Sequence, residues 1–284
     1  MKKILKMSIK SIRKMSIVTF FIMSIISTLV LMSAIILIPG CKSNLFIEGN
    51  EDEMTQEVSI RSVELLWDYP VKPGMEEWNS LNTEQERIDA VQIPKDVLGK
   101  LSAEEIVNLC ISFPRFGYFT AFNTPQDGFV VMLDKYNIFR HLILQKDAGK
   151  SLIAAYKDAG MSGFKSLPYS NEFWTIKLDY LELLLSQKEI IQSLTSEEKI
   201  ELLSEARMKY SEKINNEAFA SLPGVLPTLR IMASLLYVEE YPEFNASQNR
   251  QTAIRFIEKG WLFDDIPPID EIIKMTDNYL IFKN

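Results

Sequence analysis

The longest apolar run in the chain extends from Met15 to Ile38 without a charged residue, and nothing after it resembles it. Beyond residue 60 the apolar positions recur three and four apart, the spacing of one face of a helix. Ile106, Leu109, Cys110 and Phe113 make one such face, closed by Pro114. Phe129, Met132, Leu133, Tyr136 and Phe139 make another, opened by Thr124-Pro125 with proline at the first helical position. Asp147 stands where a cap opens a third helix, with Leu152, Ala155, Tyr156 and Ala159 inward and Gly160 as its stop. Residues 173–194 predict one long helix or two short ones. Over residues 196–214, Ile200, Leu203, Ala206, Tyr210 and Ile214 turn inward, while Glu205 and Lys209 form a favourable pair outside. Residues 225–240 are apolar almost all round, so that helix belongs at the centre, enclosed by others. A further helix over 248–259 stops at Gly260, and a last one after Pro267-Pro268 is marked by Ile269, Ile272, Ile273 and Leu280. Strand-like alternation is nowhere sustained, and Val58–Leu66 is the segment with the weakest pattern.

Three helix starts share one signature: Thr83 with Glu86, Ser102 with Glu105, and Thr195 with Glu198. In each, the hydroxyl accepts from a free backbone N–H while the glutamate three residues on reaches back, and a leucine precedes the cap. Their uneven spacing excludes a fixed-period repeat. The prediction is an all-α fold: an irregular multi-helix domain of about nine or ten helices in roughly 220 residues, open to construction from stacked helical hairpins. Gly, Ser and Pro gather near residues 160–172, where such a domain would divide.

Charge separates the beginning of the chain from the rest. Residues 1–40 hold six basic side chains (Lys2, Lys3, Lys6, Lys10, Arg13, Lys14) and no acid. The other 244 residues, with 25 basic and 38 acidic side chains, therefore carry a net charge of −13. Sequence-independent nucleic-acid binding rests on neutralising phosphates with Lys and Arg, so the acidic body excludes it. The order of basic segment, apolar stretch and Ile38-Pro39-Gly40-Cys41 resembles a bacterial lipoprotein signal. Ile38 matches its aliphatic position, Gly40 the small residue and Cys41 the lipidated residue; Pro39 departs from the small or aliphatic residue usual there. The resemblance implies diacylglycerol on the Cys41 thiol, removal of residues 1–40 as the signal peptide, and acylation of the new amino group. The competing reading is an uncleaved anchor, since the 24-residue apolar stretch is longer than the roughly 7–15 of a signal core and reaches the roughly 20 that span a bilayer. Both readings leave the basic end in the cytoplasm. Stable anchoring by lipid takes more than one acyl chain. Residues 41–60 then form the lipidated Cys and an acidic tether, and residues 61–284 the helical domain. Cys110 is the one other cysteine, so no intramolecular disulfide survives lipidation, and a small buried hydrophobe is the expected role.

Trp67-Asp68-Tyr69-Pro70-Val71-Lys72-Pro73-Gly74 with Trp78, then Ile93-Pro94, Ala121-Phe122-Asn123 and Lys146-Asp147-Ala148-Gly149, resemble an uncharacterised family of predicted Bacteroidota lipoproteins. The resemblance implies an exported all-helical protein with no assigned reaction, and it transfers no catalytic residue.

Chemistry-bearing patterns are few. The Trp67–Gly74 loop carries two prolines and flanking aromatics, so Trp67, Tyr69 and Trp78 are candidates for stacking on a ligand or glycan, against a strap that packs them onto the helices. Phe113, Phe116, Tyr118, Phe119 and Phe122 crowd one stretch, as core or as the lining of an apolar pocket. The one histidine, His141, has no neighbouring acid or nucleophile and no H-E-x-x-H motif around it. Gly160-Met161-Ser162-Gly163-Phe164 fails the G-x-S-x-G pattern at its last position. There is no P-loop or dinucleotide fingerprint. The acidic pairs Glu239-Glu240 and Asp264-Asp265 are candidate glycosidase carboxylates or plain solvated charge. No catalytic residue, metal ligand or cofactor is assigned.

The expected protein is a cell-envelope lipoprotein on the exported side, of the outer membrane rather than the inner. It meets the membrane through lipid on Cys41 and acts as a non-enzymatic binding or scaffold protein for another envelope protein or a glycan. The alternative is a carboxylate-based envelope hydrolase acting on glycan or peptide, which requires two of the named acids to meet in one cleft. A third reading, purely architectural, expects no pocket.

Overall fold

In the computed structural model, described over residues 67–164, 173–261 and 265–283, the chain is all-α apart from one two-residue hairpin. Cys41, the tether, Val58–Leu66 and Asp264 lie outside the described residues. The described residues fall within the unit Ser62–Asn284.

All three capping boxes form. Thr83, Ser102 and Thr195 each accept from the N–H of the glutamate three residues on, whose carboxylate in turn receives the cap's own N–H. They open α2 (Glu84–Asp89), α4 (Ala103–Ile111) and α10 (Ser196–Lys213). The short helices α1 (Glu76–Asn79) and α3 (Lys95–Leu98) flank α2. A 3-10 turn over Phe116–Ala121 follows α4, and Thr124 caps α5 (Pro125–Lys135) with Pro125 at its start.

The face from Phe129 to Phe139 does not belong to one helix. Tyr136 is extended and separates α5 from α6 (Asn137–Leu144). The break is held from outside: Asn137 donates to the Ile93 carbonyl and accepts from its N–H, while Gln92 bridges Lys135 and Asn137. These four bonds replace the helical ladder that Tyr136 gives up. Asp147 makes no side-chain cap bond at the start of α7 (Ala148–Asp158), and Ala155 is only half-buried there. Ala159–Gly160 (β1) and Gly163–Phe164 (β2) then pair around Met161-Ser162, so the candidate serine motif is a hairpin turn.

Residues 173–194 form two helices, α8 (Trp174–Leu185) and α9 (Lys188–Ser193), parted where Ser186 and Gln187 both bond the Leu183 carbonyl. α10 and α11 (Leu222–Val238) pack along each other as a helical hairpin. As its all-round apolarity predicts, α11 is central, touching α8, α9, α10, α12 (Pro242–Ala246), α13 (Arg250–Lys259) and α14 (Ile269–Lys283). Gly260 ends α13 in the left-handed region at φ 70°.

Two expectations for α10 are corrected. Ile214 is 39% exposed at the C-cap, because the helix ends one residue before it. Glu205 and Lys209 are not outside but buried, 3.1 Å apart. Lys209 donates to the Ala159 carbonyl and sits 4.8 Å above the Tyr156 ring, so the end of α7 and its hairpin cover the face that the helical spacing assigned to water. Short helices and such breaks give fourteen α-helices among the described residues, more than the periodicity predicted, since a four-residue helix has no period to read.

Candidate functional site

The aromatic stretch after α4 divides between core and cleft. Phe113 is fully buried, edge-on to Tyr136 at 4.8 Å and Phe139 at 4.9 Å. Phe119 and Phe122 instead line an open cleft of about 290 Å³. Its other walls come from α8 (Ile176, Asp179, Leu183), from Ser186, from the first half of α11 (Pro223, Leu226, Pro227, Arg230), and from Gly260 and Trp261. Pro227 sits inside α11, where it removes one backbone donor and prevents a straight continuous ladder. Gly128 lets the 3-10 turn lie directly on α5: a Cβ there would stand 2.4 Å from the Phe119 carbonyl oxygen. That contact fixes where Phe119 meets the cleft.

Most of this lining is apolar, and two charged side chains interrupt it. Arg230 is 4% exposed. Its Nε donates to the Ile257 carbonyl at 2.8 Å and its Nη2 to Gln126 Oε1, while its Nη1 has no partner. Burial lowers the guanidinium to about 9, so it keeps its charge at neutral pH. Asp179 is the second. Burial pushes its carboxyl up to about 7 against the opposing pull of Lys213, whose Nζ is 3.5 Å from Oδ1. Oδ1 makes no hydrogen bond, and the side chain keeps 28% of its surface exposed.

Behind Asp179 lies a closed polar network. Glu182, one helical turn further along α8 and fully buried, takes Lys213 on Oε2 at 2.6 Å. On Oε1 it accepts from the Tyr156 and Thr228 hydroxyls, each at 2.7 Å. Lys213 also donates to the Gly224 carbonyl at 3.1 Å and lies 5.0 Å from the Phe219 ring. Burial and the Glu182 charge push the Tyr156 hydroxyl well up, so it stays a donor. Every charge in this network is matched, as a buried ion pair requires.

The residues singled out from sequence lie elsewhere. Tyr69 is buried, donating its hydroxyl to the Leu109 carbonyl at 3.1 Å and packing edge-on against Trp67 at 4.9 Å. Trp78 is half-buried near Arg115. None of the three lines the cleft. His141 is half-buried on α6 and Cys110 is fully buried, its thiol pushed well up by burial. Glu239 is held by Lys199 at 2.8 Å and by the Tyr279 hydroxyl at 2.9 Å, Glu240 is exposed, and Asp265 faces Arg255 at 3.3 Å. None of these three acids lines the cleft. Among the described residues no group of three or more His, Cys, Asp or Glu side chains is placed to hold a metal, and no helix is long and apolar enough to cross a membrane.

Sequence reasoning missed Arg230, Asp179 and Glu182. Their signal was present, since each is a charge within a mainly apolar helical run, LPTLRIMASLL for Arg230 and WTIKLDYLELLL for Asp179 and Glu182. A charge enclosed in such a run has to find a partner or a ligand. The chain matches no protein-family model, no curated protein and no solved structure.

Proposed function

We propose that the chain is a cell-envelope lipoprotein, anchored through lipid on Cys41 at the exported side of the outer membrane, whose helical body is a non-enzymatic binding protein for a small, largely apolar molecule. The leader supports the anchoring, and the net charge of −13 after residue 40 gives the body no affinity of its own for an anionic membrane surface. The observation that carries the binding reading is the cleft. At about 290 Å³ it stands near the lower end of small-molecule sites, roughly 300–1,000 Å³, and its walls combine aromatic and aliphatic side chains with few polar groups. A protein segment or a glycan fits that size and chemistry less well. The hydrolase alternative needs two carboxylates about 5–10 Å apart across one space. Among the described residues Asp179 is the one carboxylate lining the cleft, because Glu182 is turned into its own network.

Protein purified from envelope membranes and extracted with organic solvent should release a small molecule detectable by mass spectrometry. The same extract of Leu226→Trp, which fills the cleft, should lack it. Equal yields from both proteins refute the reading. Anchoring is tested separately: mass spectrometry of the mature N-terminus should find a chain that begins at an acylated Cys41, and a chain that retains residues 1–40 argues for the uncleaved span.

A further inference from the structure

Three cationic side chains are buried among the described residues: Lys209, Lys213 and Arg230. Two are matched by acids, Lys209 by Glu205 at 3.1 Å and Lys213 by Glu182 at 2.6 Å. Arg230 has no carboxylate within ion-pair distance among the described residues. Its partners, the Ile257 carbonyl and Gln126, are neutral. A buried cation with no countercharge among the described residues is destabilising, because its lost hydration is not repaid by an opposite charge. That cost is borne in the wall of the cleft and nowhere else among these three.

The spare capacity of Arg230 is local. Nε and Nη2 are occupied and Nη1 is not. A Cβ on Gly260 would stand 3.6 Å from Nη1. The unused donor thus lies beside Gly260, which lines the cleft together with Trp261. Asp179 shares the same lining and sets the opposite limit, since a ligand with a second negative charge would meet a carboxylate there. The rest of the surface, Phe119, Phe122, Leu226 and Trp261, favours an apolar body.

We infer that the cleft binds a singly charged organic acid with an apolar or aromatic body, its anionic head paired with Arg230. The inference rests on the cleft being a ligand site and adds the charge and class of the ligand. The anion supplies the countercharge that is missing among the described residues, and a guanidinium suits a carboxylate better than an ammonium would.

The test uses the full chain in phosphatidylcholine nanodiscs at pH 7.5, titrated calorimetrically with 4-phenylbutyrate, with its neutral amide 4-phenylbutanamide, and with inorganic phosphate. Wild-type protein should bind the acid at least about tenfold more tightly than the amide, about 1.4 kcal/mol, and phosphate more weakly than either. Arg230→Met should erase the preference for the acid and keep the affinity for the amide. If that variant fails to fold, Arg230→Gln, which removes the charge and keeps a donor, should do the same. Equal affinity for acid and amide in wild type, or a preference that survives loss of the guanidinium, overturns the inference while leaving the cleft a ligand site. Phosphate binding more tightly than the acid overturns it in favour of an inorganic anion. Failure of both acid and amide to bind overturns the inference together with the cleft reading.

Discussion

Replacing Lys213 by methionine isolates the buried network and should destabilise the protein by about 3–5 kcal/mol, because one member of a buried ion pair is left uncompensated. The side chains of Lys213 and Glu182 are both 0% exposed and 2.6 Å apart, so solvent screens neither. Without Lys213, Glu182 keeps two neutral donors, Tyr156 and Thr228, and Asp179 loses the one cation drawn toward it. Asp179 should then take up a proton more readily, since Lys213 is what lowers its carboxyl against burial. Removing both charges, as Lys213→Met with Glu182→Leu, leaves the Tyr156 and Thr228 hydroxyls unpaired, at roughly 1–3 kcal/mol each, and takes Lys213 from the Gly224 carbonyl and from Asp179, but leaves no fully enclosed charge uncompensated. The double variant should therefore cost less than the sum of the singles, with a coupling of about 2–3 kcal/mol. Urea unfolding of the four proteins, followed by tryptophan fluorescence and by circular dichroism, measures the cycle. A loss below about 1 kcal/mol for Lys213→Met would place the pair in the range of exposed salt bridges and refute the enclosed network.

Other expectations follow from the cleft and its supports. The Asp179 carboxyl is raised by folding, so its contribution to stability is full below about pH 4 and declines as pH rises toward about 7. Asp179→Asn should accordingly raise the melting temperature at pH 7.5 and not at pH 4; its 28% exposure keeps the gain to about 1–2 kcal/mol, and an equal effect at both pH values refutes the assignment. The charged groups facing it, Lys213 and Glu182, stay in place in that variant, as does Arg230 in the lining of the same cleft. Gly128→Ala forces a methyl onto the Phe119 carbonyl oxygen and should cost about 1–3 kcal/mol, toward the upper end because the neighbours it meets are backbone atoms, as read by thermal or urea unfolding. Trp67→Ala, by removing an edge-on contact to buried Tyr69, should lower stability by about 1 kcal/mol and leave 4-phenylbutyrate affinity unchanged; loss of that affinity would return the N-terminal loop to the binding site.

The helices were legible where local chemistry decides them. A capping box is complete within four residues, so Thr83, Ser102 and Thr195 announced α2, α4 and α10 without help from the rest of the chain. Gly260 likewise stops α13 by its own backbone freedom. The break at Tyr136 was not legible, because its cause is Gln92 and Asn137, more than forty residues apart in sequence, exchanging bonds across it. Asp147 has the composition of a cap but makes no such bond. Of the site, the crowded aromatics after α4 were legible as core or as pocket lining, and they divide between the two: Phe113 is core, while Phe119 and Phe122 line the cleft. The loop aromatics Trp67, Tyr69 and Trp78 carried the same compositional signal, and they lie away from it.

By itself the sequence determined an all-α body, its central helix and most of its caps, because periodicity and capping act over one or two turns. Tertiary structure alone decided which charges are enclosed. Glu205 and Lys209 have the spacing of a solvated pair, yet the end of α7 covers them. Arg230 and Asp179, about fifty residues apart on different helices, became two walls of one cleft. The physical reason is that the cost of a buried charge is set by what surrounds it in space, and helix packing assembles those surroundings from segments distant along the chain.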